Sequence, residues 1–101
     1  MVKVLNIKAL GHKIPDGAVY IGRAMPRYGL KRSPYANPYP ITKWRDRTMA
    51  ICNYRYWLED RISEDPAFLD ALRDVQYLVC WCAPAACHGD VIVEFLRNNG
   101  R

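Results

Sequence analysis

The chain has 101 residues, of which 50% are hydrophobic and 25% charged, with a formal net charge of +5, and this is typical of one small globular domain. No apolar run approaches the roughly 18 residues of a membrane helix, and the N-terminal stretch, which contains Lys3 and Lys8, does not resemble a signal peptide. We therefore expect a single cytoplasmic domain over residues 1–101, with no membrane partner and with reduced cysteines.

Two short strands are predicted at the start of the chain. Residues Val2–Ile7 are rich in β-branched and apolar side chains, and Ala18–Gly22 form a second apolar run. The turn sequence Pro15-Asp16-Gly17 lies between them.

Residues 23–44 are predicted to form a long irregular loop. Prolines and Gly29 interrupt any periodicity, and loops of this length in compact domains are usually functional or disordered. We expect this loop to be ordered and packed over the edge of the sheet.

Positive charge is concentrated in and just after this loop. Residues 23–47 carry one acid, Asp46, and the following cations: Arg23, Arg27, Lys31, Arg32, Lys43, Arg45 and Arg47. Tyrosines are interleaved with them, and this combination suits the phosphates of a nucleotide or of a nucleic-acid backbone. A basic solvated loop is the alternative interpretation.

Helical patterns follow the loop. Asp46 is a suitable cap for a first helix over Arg47–Ile62, and Asp65 is a suitable cap for a second helix over Pro66–Val75. The uncharged run Tyr77–Cys82 then predicts a buried strand, and a last helix is expected to begin near His88 or Gly89.

This order of elements predicts the fold class. Short strands alternating with helices indicate a small single-domain α/β sandwich with a short, mainly parallel sheet flanked by helices. An α+β arrangement with an antiparallel first pair of strands is the second possibility.

The junction between the last strand and the last helix is the candidate site. Cys87, His88 and Asp90 converge there, and a helix N-terminus at the carboxyl end of a strand favours anions. Gly89 has no side chain to block a phosphate, and the field of the helix should lower the pKa of Cys87 and of His88, although Asp90 opposes this for His88. The structural alternatives are a buried cysteine, a histidine bonded to the preceding loop and an aspartate that caps the helix.

Four stretches of the sequence carry a family resemblance: VYIGR (19–23), SPYANPY (33–39), the helix headed by Arg47, and LVCWCAPAACHGDVI (78–92). They resemble an uncharacterised domain family of bacteria and their phages, marked by glycine-arginine, serine-proline…asparagine-proline and CWCAP…CHGD motifs. A second uncharacterised α/β family has a similar Cys-His step. The resemblance implies no settled activity, but it implies these motif positions: Arg23, Ser33, Asn37, Arg47, Cys80, Cys82, Cys87, His88, Gly89 and Asp90.

The first function class is binding, with or without processing, of a nucleotide-like or sugar-phosphate ligand at the strand-loop-helix junction. The candidate ligand-binding residues are Arg23, Ser33, Asn37, Arg47 and Gly89, and the candidate catalytic residues are His88, Asp90 and Cys87. Arginine suits this role because its planar guanidinium binds phosphate through two hydrogen bonds, and His88 or Asp90 would serve as acid or base, for instance at a glycosidic bond. Whether the protein is an enzyme stays open.

Two further classes compete with this one. The basic, tyrosine-bearing loop is compatible with a nucleic-acid-binding accessory protein. Three cysteines and His88 are compatible with a zinc module, but adjacent Cys87 and His88 can rarely both reach one tetrahedral ion, so we expect no stoichiometric zinc and no cofactor. A structural or host-interaction role and an undetermined oligomeric state complete the possibilities.

Overall fold

A computed structural model of the protein describes residues 2–82 and 85–98. Ala83 and Pro84, in the loop before the last helix, lie outside the described residues. The strands are β1 (Lys3–Asn6), β2 (Ala18–Tyr20) and β3 (Tyr77–Cys80), and the α-helices are α1 (Arg47–Glu64) and α2 (His88–Asn98).

The three strands form one parallel sheet in the order β1-β3-β2. Lys3 and Ala18 both pair with Tyr77, so β3 is the central strand and β1 and β2 flank it. Leu78 and Val79 of β3 are buried, as expected for a strand covered on both faces. The predicted α/β class with a mainly parallel sheet is confirmed, and β1 and β2 do not form the antiparallel pair of the alternative.

Helix α2 packs on β1 and β3, and α1 packs on α2. The core between these elements contains Tyr54 and Leu58 of α1 together with Val91 and Ile92 of α2. Asp46 caps α1 as predicted, because its Oδ1 accepts a hydrogen bond of 2.8 Å from the Met49 N–H. Helix α2 begins at His88, also as predicted.

The prediction of a second helix over Pro66–Val75 is wrong. This segment consists of turns and one short 3₁₀ helix, Asp70–Leu72. Its backbone hydrogen bonds link residues three apart, as from Leu72 N–H to the Leu69 carbonyl at 2.9 Å. A 3₁₀ helix aligns residues three apart, so the side chains of Leu69 and Leu72 are both buried in the core. This packing outweighs the α-helical pattern of the sequence.

The loop that follows β2 is ordered by contacts with α1 and with the segment after it. The side chains of Ser33, Tyr35 and Ala36 are buried. The Tyr35 hydroxyl donates to the Phe68 carbonyl at 3.0 Å, and the Tyr54 hydroxyl donates to the Tyr35 carbonyl at 2.7 Å. Within the described part of the chain, no helix has both the length and the apolar character needed to cross a bilayer.

Candidate ligand-binding site

A cleft of about 510 Å³ lies where the carboxyl ends of β2 and β3 meet the N-termini of α1 and α2. Its polar lining includes Arg23, Arg32, Asn37, Arg47, Cys87 and His88. No aspartate or glutamate is among the described residues that line it. A second cavity, of about 410 Å³, lies elsewhere, and its lining combines Arg73 and Arg97 with Asp74. The described lining of the cleft therefore carries three arginines with no acid, whereas an aspartate accompanies the two arginines of the second cavity.

Arg23 is positioned at the cleft by contacts with Tyr20 and Trp81. Trp81 Nε1 donates to the Tyr20 hydroxyl at 2.7 Å. The Tyr20 hydroxyl in turn donates to the Arg23 carbonyl at 2.6 Å. The Arg23 guanidinium lies 5.9 Å from the centroid of the Trp81 ring. Gly22 makes this possible, because a Cβ there would approach the Tyr20 hydroxyl oxygen to 2.5 Å.

Arg47 reaches the cleft from the first turn of α1. Its Nη1 donates to the Ala86 carbonyl at 2.9 Å, so the guanidinium joins the start of α1 to the loop before α2. The other N–H groups of the exposed Arg47 side chain can donate to a ligand in the cleft. Arg32, in the long loop, also lines the cleft.

His88 is buried, with 9% of its surface exposed, and lies in the cleft wall. Its Nε2 is 2.7 Å from the Ile21 carbonyl oxygen. A carbonyl only accepts, so Nε2 carries the proton, and in the neutral ring Nδ1 is the acceptor. Burial lowers the pKa of His88, against the opposing effects of the Ile21 carbonyl and Asp90.

Cys87 and Asp90 form the cap of α2. The Cys87 Sγ accepts from the Gly89 N–H at 3.3 Å, and the Asp90 Oδ2 accepts from the Cys87 N–H at 3.1 Å. The bond to Asp90 is that of a capping box, while the cysteine side chain caps the N–H of Gly89, the second residue of the helix. Asp90 therefore acts as a helix cap, which is the structural alternative given above. It does not line the cleft.

The expected lowering of the Cys87 pKa is wrong. Its thiol lies 3.4 Å from the Cys80 Sγ inside the core. The hydrogen bond with Cys80, followed by burial, raises the pKa of Cys87, and the favourable contact with the Gly89 N–H is too weak to reverse this. Cys87 is thus a protonated thiol, which is a poor nucleophile.

Gly89 is not at the surface, and the expectation that it leaves the helix open to a phosphate is also wrong. It is buried, and a Cβ built on it would lie 2.9 Å from Ile21 Cδ1 and 3.1 Å from Val4 Cγ1. The absent side chain allows α2 to approach the sheet. The Gly89 N–H already donates to the Cys87 Sγ.

Ser33 and Asn37 organise the loop. Ser33 is buried away from the cleft, and its Oγ accepts from the Tyr35 N–H at 3.1 Å. Asn37 borders the cleft, but its Nδ2 donates to the Ala50 carbonyl at 3.1 Å and its Oδ1 accepts from the Tyr39 N–H at 2.8 Å. The motif around these two residues therefore holds the loop against α1.

Of the predicted site residues, the structure brings five to the cleft: Arg23, Asn37, Arg47, Cys87 and His88. Ser33, Gly89 and Asp90 do not line it. Sequence reasoning placed Arg32 only among the loop cations suited to phosphates, and it did not select Arg32 or Trp81 for the site at the strand-helix junction. The position of Trp81, directly after the central strand, was the available signal, since ligands of parallel sheets bind at the carboxyl ends of strands.

A metal centre receives no support from the part of the chain that the structure describes, which holds no group of three or more metal-ligating side chains arranged around one point. His88 Nε2 is also directed at the Ile21 carbonyl. The absence of stoichiometric zinc stays a prediction for elemental analysis of the purified protein.

The burial of neutral His88 predicts a pH dependence of stability. The unfolded chain takes up a proton near pH 6.5, whereas folded His88, with its lowered pKa, resists protonation until a lower pH. The free energy of unfolding should therefore fall as the pH drops below about 6.5. Urea denaturation of the parent and of His88→Gln over this range measures it. We expect the free energy of unfolding to fall less with pH in His88→Gln than in the parent. An equal fall in the two proteins would contradict a buried, neutral His88 as the cause.

Comparison with known proteins gives one result. The sequence model of a family described as a domain of unknown function (DUF4326) matches residues 5–98. No curated protein and no solved structure matches the chain. The predicted relationship to an uncharacterised domain family is confirmed, while a bacterial or phage source stays a prediction.

Proposed function

The chain belongs to the DUF4326 family of domains of unknown function, and we propose that it binds a nucleotide-like or sugar-phosphate ligand in the cleft. The observation that carries the proposal is the convergence of Arg23, Arg32 and Arg47 on a cleft whose described lining contains no acid. Arginine guanidinium groups bind phosphate oxygens through paired hydrogen bonds. The volume of about 510 Å³ is within the range of small-molecule sites.

The arginines, rather than the N-terminus of α2, supply the proposed phosphate contacts. The N–H groups of Cys87 and Gly89 are bonded within the helix cap, and the carboxylate of Asp90 lies beside them. Arg23 lies at the start of the long loop after β2, Arg32 lies further along that loop and Arg47 begins α1, so the ligand would connect the two parts of the loop with α1.

Processing of the ligand, as part of this proposal, depends on His88. It lines the cleft in its neutral form, with Nδ1 as the nitrogen left to accept a proton. Cys87 is a protonated thiol, and Asp90 is an exposed cap. A cytoplasmic location is also proposed, in keeping with the expectation from the sequence that the cysteines are reduced, as thiols are in that compartment.

Isothermal titration calorimetry tests the binding proposal. Nucleoside monophosphates and ribose 5-phosphate should bind, and the corresponding nucleosides and ribose should bind much more weakly. Replacing Arg23 and Arg47 with glutamine should each weaken binding about 10-fold or more, since each removes a charged hydrogen-bond donor. The matched control is Arg61→Gln, because Arg61 pairs with Glu64 at the far end of α1. Equal affinity in the parent and in Arg23→Gln/Arg47→Gln would reject the site.

A further inference from the structure

The turn Thr42–Arg45 has a hydrogen-bonded backbone and carries an exposed tryptophan. The Thr42 N–H donates to the Arg45 carbonyl at 2.8 Å, and the Arg45 N–H donates to the Thr42 carbonyl at 3.3 Å. The Trp44 N–H also donates to the Thr42 Oγ1 at 3.1 Å. The Trp44 side chain is nevertheless 82% exposed. The backbone is therefore ordered, while a large aromatic ring stays in solvent.

The position of this turn links it to the cleft. Ile41 and Arg47, on either side of the turn in the chain, both line the cleft. Three residues span at most about 11 Å, so Trp44 lies within that distance of each along the chain. Arg45 anchors the turn, because its Nη1 donates to the Pro40 carbonyl at 3.3 Å and its guanidinium lies 5.3 Å from the centroid of the Tyr39 ring.

The charges around Trp44 are almost all positive. Lys43 Nζ lies 5.2 Å from the centroid of the Trp44 ring, and Arg45 and Arg47 follow in the chain. The one acid beside them, Asp46, is occupied as the cap of α1. An exposed aromatic ring beside cations is the combination that binds single-stranded nucleic acid, through base stacking and phosphate contacts.

We propose that the Thr42–Arg45 turn binds single-stranded nucleic acid, with one nucleotide in the cleft and a base within about three nucleotides of it stacked on Trp44. This inference rests on the proposed function of the cleft and extends it from a free ligand to a strand. About 11 Å corresponds to roughly three stacked nucleotides at 3.4 Å each, so a tetranucleotide is long enough to reach both places. The cations around Trp44 favour a polyanion, and the exposed aromatic ring favours one that carries bases.

Calorimetry at low salt, with thymidine monophosphate and a 5′-phosphorylated thymidine tetranucleotide as probes, tests this proposal. The tetranucleotide should bind the parent more tightly than the mononucleotide. Trp44→Ala should weaken tetranucleotide binding about 5-fold or more, the loss expected for one stacked base, and leave mononucleotide binding unchanged. Trp44→Tyr should retain most of the affinity. Tyr56→Ala is the matched control, because Tyr56 is a 63% exposed aromatic residue on α1 that does not line the cleft.

The other outcomes separate the two proposals. If the mononucleotide binds but the tetranucleotide binds no more tightly, or if Trp44→Ala does not change its affinity, the strand proposal is overturned and the cleft proposal stands. Equal weakening of both probes by Trp44→Ala would make the turn a cover for the cleft and would also overturn the strand proposal. If neither probe binds, the strand proposal fails, and the cleft proposal fails with it if ribose 5-phosphate does not bind either. Sedimentation that reveals a dimer lost in Trp44→Ala would assign the surface to a second copy of the chain.

Discussion

Replacing Gly89 with valine is expected to lower the free energy of unfolding by about 3 kcal/mol, near the upper end for added volume in a packed core. The first added carbon would lie 2.9 Å from Ile21 Cδ1 and 3.1 Å from Val4 Cγ1, and valine adds two methyl groups beyond it. Either α2 must move away from the sheet or both neighbours must change rotamer. Urea denaturation followed by circular dichroism measures the loss.

Two variants make the Gly89 result specific. Glu94→Val places the same side chain on the exposed side of α2, where it removes only the surface ion pair with Arg55 and should cost about 1 kcal/mol or less. Gly89→Ala should cost less than Gly89→Val, because it adds a single methyl group and alanine favours the helix. A Gly89→Val variant as stable as the parent would mean that α2 does not pack on the sheet at this residue.

Replacing Tyr54 with alanine is expected to cost about 3–5 kcal/mol, as for other large aromatic residues removed from cores. Tyr54 is fully buried, and its ring contacts Trp57 and His88 at centroid distances of 5.3 and 4.9 Å. Domains of this size are stable by about 5–15 kcal/mol, so the variant should be close to unfolding at room temperature. Thermal and urea denaturation test this expectation.

Tyr54→Phe separates packing from hydrogen bonding at the same position. It keeps the ring but removes the hydroxyl that donates to the Tyr35 carbonyl at 2.7 Å, and should cost about 1–3 kcal/mol. Tyr56→Ala, at an exposed position two residues along α1, should change stability by about 0.5 kcal/mol or less. Similar losses in Tyr54→Ala and Tyr56→Ala would contradict the core described above. Since Tyr54 connects the long loop to His88, ligand affinity in Tyr54→Phe would also report how far this link shapes the cleft.

Neighbouring residues in the sequence were sufficient to predict several features of the fold. The apolar run of β3, the cap at Asp46 and the start of α2 at His88 depend on patterns within a few residues, and all three agree with the structure. Parallel pairing followed from the alternation of strands and helices. These predictions succeed because periodicity and capping are properties of one element.

The features that were predicted incorrectly depend on tertiary contacts between different elements of the fold. The Pro66–Val75 segment forms turns and a short 3₁₀ helix because its leucines fit the core, and Gly89 is buried because Val4 and Ile21 approach it. Cys87 stays protonated because Cys80, seven residues earlier, lies against it. No local pattern contains these contacts.

The candidate site shows the same division. The sequence identified the types of residue a phosphate needs and the junction at which a parallel sheet binds ligands, and it selected Arg23, Arg47 and His88. The meeting of these residues with Arg32, the use of Asp90 as a helix cap and the exposure of Trp44 follow from folding. Side chains from separate segments share a cleft only when the core has set the distances between their backbones, and that information is distributed over the whole chain.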